Sequence, residues 1–192
     1  RDQPRSRGLG DVYKRQGMII KVCGMREPQN IREVAALAIN WIGFIFYERS
    51  KRFVERCPTE QQVTDSEQLS PKKVGVFVNA TIESMMEKAS AYKLDYLQLH
   101  GNESPEDCHT LQKRGYSLIK AFPIATKEDF EKTREYEGRV DYFLFDTRCE
   151  GYGGSGKRFD WSILTEYEGE TPFLLSGGIR PAVSYTHLTL PT

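Results

Sequence analysis

Residues 72–104 read KKVGVFVNATIESMMEKASAYKLDYLQLHGNES, and this stretch decides the fold. It opens on an apolar, partly β-branched run, Lys73–Val78, whose VGVFV core has no polar member. A strand that is apolar throughout belongs to a parallel sheet covered on both faces, because a sheet with one wet face alternates. Thr81, Ser84, Met85 and Ala89 follow at helical spacing, which predicts a helix with one buried stripe. A second strand, Asp95–Leu99, comes next. Ser104-Pro105-Glu106 then opens another helix, with Ser104 as its N-cap. Strand, helix, strand and helix thus succeed one another within two βα units.

The same unit repeats outward in both directions. Further strands are predicted at Met18–Val22, Trp41–Phe46, Ser117–Phe122, Asp141–Phe145 and Pro172–Leu175, with starts roughly 22 to 32 residues apart. Pro28 stands where a proline at the first helical position should, and Ile31, Val34, Ala35 and Ala38 make an apolar stripe after it. Lys127–Tyr136 and Asp160–Tyr167 read as two later helices. This gives an α/β chain of seven strands and six complete helices. An open doubly wound sheet and a (β/α)₈ barrel both fit the alternation, and a barrel requires eight units.

Composition narrows the class. Of 192 residues, 39% are apolar and 28% charged, as in a globular protein. Lys plus Arg and Asp plus Glu balance at 27 each, and no clustered basic face points to nucleic acid. No apolar run reaches the roughly 18–20 residues of a membrane span. The four cysteines, Cys23, Cys57, Cys108 and Cys149, form no C-x-x-C pair and read as free thiols of a reducing cytoplasm. The ends read differently from the middle. Residues 1–17 show no periodicity, and residues 182–192 replace an expected helix with Ser, Thr and Pro191. Both are expected to be non-native, leaving one domain over residues 18–181.

In parallel α/β proteins the chemistry gathers at the carboxyl ends of the strands. There stand Cys23, Asn79, Gln98 with His100, Asp146, and Ser176-Gly177-Gly178. Cys23 reads as a general base or nucleophile, or as a small buried hydrophobe. Asp146, after the apolar FLF, reads as a general acid or a turn cap. Asp141, at the other end of that strand, belongs to the stability face. Ser176-Gly177-Gly178 follows strand 7, where barrels of this kind seat phosphate. GYGGSGK at 151–157 reads as a lid over substrate or as a flexible linker. Arg49, Lys51 and Arg52 read as a solvated loop or as a clamp for a substrate anion.

Taken together, KVCGM at 21–25, GFIFYERSKRFV at 43–54, KKVGVFVN at 72–79, LQLHGNES at 97–104, FDT at 145–147, GYGGSGKRFDW at 151–161 and LLSGGI at 174–179 resemble the phosphoribosylanthranilate isomerase family. The resemblance spans about residues 18–181. It implies a TIM (β/α)₈ barrel, here incomplete, with about seven strands and the eighth βα unit missing. It implies an Amadori rearrangement of a phosphosugar in tryptophan biosynthesis, without metal or other cofactor, by a cytoplasmic monomer or homodimer. Cys23 matches the base that removes the C2 proton, Asp146 the acid that opens the sugar ring, and Arg52 the partner of the anthranilate carboxylate. Gln98, His100, Gly154, Ser155, Gly156, Ser176, Gly177 and Gly178 match substrate-binding positions.

The related aminoaldose isomerase of histidine biosynthesis pairs two aspartates, whereas strand 1 here ends in Cys23. Indole-glycerol-phosphate synthase would need a lysine acid and a glutamate. A non-catalytic remnant or phosphosugar-binding barrel is the rival of another class. With strands 1 and 7 left as open edges, the chain is expected to be poorly stable and weakly active or inactive.

Overall fold

A computed structural model describes residues 19–56, 71–146 and 161–177. Seven strands form one sheet: β1 (Lys21–Cys23), β2 (Trp41–Ile45), β3 (Lys72–Phe77), β4 (Tyr96–Leu99), β5 (Ser117–Pro123), β6 (Tyr142–Asp146) and β7 (Phe173–Ser176). Every adjacent pair is parallel. Their order is the sequence order, β1 to β7. A doubly wound sheet would reverse direction at a switch point. Unbroken order is that of a TIM barrel, and it separates the two architectures that the alternation left open.

The sheet curls strongly. Trp41 on β2 and Tyr142 on β6 meet edge to face with ring centroids 5.1 Å apart, although three strands lie between them. In a flat sheet those positions would be about 19 Å apart at four strand spacings. Tyr96 on β4 stacks on Trp41 at 4.5 Å. The three rings come from alternate strands and make one layer near the amino-terminal end, as inward-pointing barrel residues do. Val74, Ile119, Ala121 and Leu144 continue this enclosed face.

The opposite face of each strand packs against the helices. Leu97, Leu99, Leu118, Phe143 and Phe145 are almost fully buried there with Met85, Cys108 and Leu111. Helices α1 (Pro28–Ala35), α2 (Ile82–Ala91) and α3 (Pro105–Lys113) cover it. Ser104 caps α3 as expected: its hydroxyl accepts from the Asp107 N–H at 3.1 Å, and the Asp107 carboxylate accepts from the Ser104 N–H at 2.8 Å. Thr81 caps α2 with its hydroxyl, which accepts from the Ser84 N–H at 3.2 Å.

Several sequence-based boundaries move. Strand 1 reaches Cys23, so the thiol sits in the strand rather than after it. Helix α1 stops at Ala35, and Ala38 is exposed beyond it. Lys127–Tyr136 and Trp161–Glu166 wind as 3₁₀ turns rather than α-helices. In the first of these the buried residues, Phe130 and Thr133, are three apart. That spacing suits three residues per turn, and the Thr133 hydroxyl donates to the Phe130 carbonyl at 2.7 Å. Residues 1–17 and 182–192, read as foreign, lie outside the described residues, as do Met18 and Asp160. Among the described residues, β1 and β7 each pair on one side, and no helix is long and apolar enough to cross a membrane.

At the other pole a set of backbone-to-carboxylate bonds pins the strand starts. Asp141 accepts from the Leu118 N–H and Asp95 from the Lys73 N–H, each at 2.7 Å. Asp141 therefore serves the stability face, where the sequence placed it.

A buried ion pair ties the loops of the carboxyl-end rim. Lys120 and Glu103 stand 3.4 Å apart, each side chain 3% exposed. Lys120 also donates to the carbonyls of Leu99, Gly101 and Ala121. The Glu103 carboxylate accepts from the backbone N–H of Asn79 and of Gly101 at 2.8 and 2.9 Å. Burial pulls the Lys120 ammonium below the usual lysine range, and the Glu103 charge opposes that fall. Removing one partner leaves the other buried without its charge. Glu103→Ala is expected to cost about 3–5 kcal/mol of stability, read by urea denaturation; a loss under about 1 kcal/mol would contradict this role.

Candidate active site

Side chains alternate between the two faces of a strand. Cys23, Gln98, Asp146 and Ser176 all have the inward parity, and His100 continues it one residue past β4. The structure thus brings residues from β1, β4, β6 and β7 to one end of the enclosed face. Asp146 and Ser176 are register partners on β6 and β7. Four strands separate Cys23 from Asp146 in sheet order.

A polar chain crosses the interior. The Lys21 ammonium donates to Gln98 Oε1 at 2.5 Å. Gln98 Nε2 lies 2.8 Å from His100 Nδ1. His100 Nε2 lies 3.4 Å from Asp146 Oδ2. Lys21 and Cys23 are two residues apart on β1, so both point inward.

The thiol has shaped its neighbourhood. Gly43 is the register partner of Cys23, and a Cβ at Gly43 would lie 2.7 Å from Cys23 Sγ. Any other residue on β2 would displace the sulfur. The next residue, Gly24, has φ +85°, and a Cβ there would lie 2.7 Å from Arg52 Cδ. Arg52 can lie across this backbone only because both demands are met by glycine. Its Nη1 comes within 3.4 Å of the Cys23 carbonyl, which sets the guanidinium directly beside the thiol-bearing strand.

At the far end, Gly177 follows β7 with φ +83°. That left-handed turn is open to glycine and lets the chain reverse its N–H groups after the strand. Gly154, Ser155, Gly156 and Gly178 lie outside the described residues, as does the loop 151–157.

A family model for N-(5'-phosphoribosyl)anthranilate isomerase matches residues 20–186. The chain belongs to this isomerase family. It is 98% identical over 164 residues to the N-(5'-phosphoribosyl)anthranilate isomerase of Parabacteroides distasonis, covering 85% of this chain and 74% of that protein. The crystal structure of phosphoribosyl anthranilate isomerase from Thermotoga maritima superposes with a TM-score of 0.73 at 33% identity, covering 86% of this chain and 80% of that one. A structure of phosphoribosyl anthranilate isomerase in complex with reduced 1-(o-carboxyphenylamino)-1-deoxyribulose 5-phosphate superposes with a TM-score of 0.70 at 29% identity, covering 86% and 78%.

Within this isomerase fold the described candidate residues gather at one end of the enclosed face, not in every depression. A cleft of about 800 Å³ lies between the two 3₁₀ segments, lined among others by Lys127, Phe130, Glu137 and Tyr167. Among the described residues, none of the candidates lines it. Sequence reasoning missed Lys21, Gly43 and Glu103. The signals existed: a lysine two residues before the thiol, and a glycine inside the apolar strand WIGFI. Glu103, in the loop after β4, gave none, since its role depends on Lys120, seventeen residues away on β5.

The two described cysteines differ sharply. Cys23 is half-buried and Cys108 fully buried. Burial pushes the Cys108 thiol up to about 12, against the nearby Lys120 charge, which acts the other way. A thiol that stays protonated is a poor nucleophile. Iodoacetamide at pH 8 is therefore expected to leave Cys108 unmodified in the native protein and to reach it only on unfolding, as mapped by peptide mass. Native-state labelling of Cys108 would contradict its burial.

Proposed function

We propose that Cys23 is the base and Asp146 the acid with which this chain converts N-(5'-phosphoribosyl)anthranilate to 1-(2-carboxyphenylamino)-1-deoxyribulose 5-phosphate. The observation that carries this reading is their shared inward parity at the carboxyl ends of β1 and β6, with four strands between them in the sheet. An acid and a base on opposite sides of a sugar are what an aminoaldose-to-aminoketose shift requires.

Asp146 gives its proton to the ribose ring oxygen. The C1–O bond breaks, and the anilino nitrogen supplies the electron pair that forms the C1=N bond. The protonated Schiff base acidifies C2, so a base of modest strength suffices. Cys23, as thiolate, takes the C2 proton. The pair left behind forms C1=C2 and neutralises the nitrogen. The C2 hydroxyl then loses its proton as C1 gains one, giving the ketone. No electrons enter or leave, and the product is an isomer of the substrate.

The remaining contacts suit the rest of that molecule. Arg52, beside Cys23, meets the anthranilate carboxylate, which a guanidinium can grip with two hydrogen bonds. Ser176 and the Gly177 turn, with Gly178 and with Gly154, Ser155 and Gly156 of the glycine-rich loop, hold the phosphate and the sugar. The related structure bound to a reduced product analogue supports a phosphosugar of this kind as the ligand. The acid, the base and Arg52 belong to one chain, so the reading holds for a monomer and for a homodimer. A free thiol as base requires a reducing compartment, which the cytoplasm provides.

The test is loss of the substrate's anthranilate fluorescence. Cys23→Ala and Asp146→Asn are each expected to lower kcat by at least about 100-fold with the fold intact by circular dichroism. Gly43→Ala, which moves the sulfur without removing it, should lower kcat by about tenfold or more with little change in KM. Arg52→Ala should act mainly on KM. Full turnover in Cys23→Ala or in Asp146→Asn would end the assignment for that residue.

A further inference from the structure

The polar chain Lys21–Gln98–His100–Asp146 has only one internally consistent arrangement of hydrogens. Each link follows from the one before. A lysine ammonium has three donors and no acceptor. The Gln98 atom 2.5 Å from it must therefore be the carbonyl oxygen. That settles which way the amide faces, a choice that is otherwise free. The NH₂ group is then the atom 2.8 Å from His100 Nδ1. Facing a donor, Nδ1 accepts and carries no proton. The ring proton sits on Nε2, and Nε2 is the atom nearest Asp146 Oδ2.

We propose that Lys21 is a positioning residue that sets the direction of this chain, so that His100 presents an N–H to Asp146 and the proton Asp146 delivers to substrate is held on Oδ1. The inference rests on the reading of Asp146 as general acid and adds to it the group that prepares it. With Oδ2 facing a donor, a proton there would meet the ring N–H head on. When Asp146 gives up its proton, the O–H electron pair stays on the carboxylate, and the His100 N–H stabilises the charge that forms. The 3.4 Å separation is of the length that such contacts often have before substrate binds. A reversed chain would do the opposite. With the amide flipped, His100 would carry its proton on Nδ1 and offer a lone pair to Asp146, binding the acid's proton instead of releasing it.

Lys21 does this from below the reacting atoms. It is two residues before Cys23 on the same face of β1, one level deeper in the barrel. Its ammonium is spent on Gln98, so it orients through two intermediaries.

The experiment measures ring tautomer and kinetics together. ¹⁵N-histidine-labelled protein reports the His100 ring nitrogens by NMR, assigned through His100→Gln. The unaltered chain is expected to show the Nε2–H form alone. Lys21→Met keeps length and removes the donor. It is expected to give a mixture of tautomers, with kcat lower by about tenfold or more and KM within about twofold. Gln98→Glu places acceptors on both sides and is expected to move the proton to Nδ1. Lys21→Arg restores a donor and should recover the Nε2–H form. An unchanged His100 spectrum in both Lys21→Met and Gln98→Glu would overturn the proposal. So would a Lys21→Met variant whose KM rises while kcat holds, since Lys21 would then bind substrate directly. Failure of the parent reading looks different: Asp146→Asn would retain turnover, whatever the His100 spectrum shows.

Discussion

The whole site depends on side-chain alternation in a parallel sheet that curls. Along each strand every second residue points inward, and curling converts that inward set into an enclosed space. The aromatic layer of Trp41, Tyr96 and Tyr142 fills its amino-terminal part. Lys21 and Gln98 bridge the level above. Cys23, His100, Asp146 and Ser176 then stand at the carboxyl end. A slip of one residue in any strand would send its functional side chain to the helix side. Register therefore decides which of the candidate residues reach the rim, and the carboxylates of Asp95 and Asp141 guard it at the strand starts.

The rim needs a second kind of support, because loops lack the sheet's ladder. Lys120 and Glu103 supply it from the outer face. Their buried pair collects the backbone of Asn79 after β3 and of Leu99 and Gly101, which flank His100. A buried pair of this sort adds little net stability over an apolar substitute, but it fixes geometry that apolar packing would leave loose. Two glycines complete the arrangement by yielding space, Gly43 to the Cys23 sulfur and Gly24 to the Arg52 side chain. The site is thus defined as much by what is missing on β2 and after β1 as by the reactive groups.

Much of this was legible in the sequence for physical reasons. VGVFV and YFLF are apolar throughout because both faces of a parallel strand are covered, and that pattern gave the strands. The positions of Cys23 and Asp146 at strand ends gave their placement on one rim. Three features were not legible. Lys127–Tyr136 has helical composition, yet buried Phe130 and Thr133 three residues apart draw it into 3₁₀ turns. Gly43 reads as a simple break in an apolar run until its register with Cys23 is known. The direction of the chain from Lys21 to Asp146 follows from contacts among three strands, and no local pattern encodes such contacts.

The most direct measurement is a crystal structure of this chain with reduced 1-(o-carboxyphenylamino)-1-deoxyribulose 5-phosphate bound. The account predicts the sugar carbons between Cys23 Sγ and the Asp146 carboxyl, with both groups within hydrogen-bond reach of about 3 Å or one water more. It predicts the carboxylate on Arg52 and the phosphate at Ser176 and Gly177. A ligand seated in the outer cleft by Phe130 and Glu137, or on the rim with Cys23 or Asp146 out of reach, would contradict it.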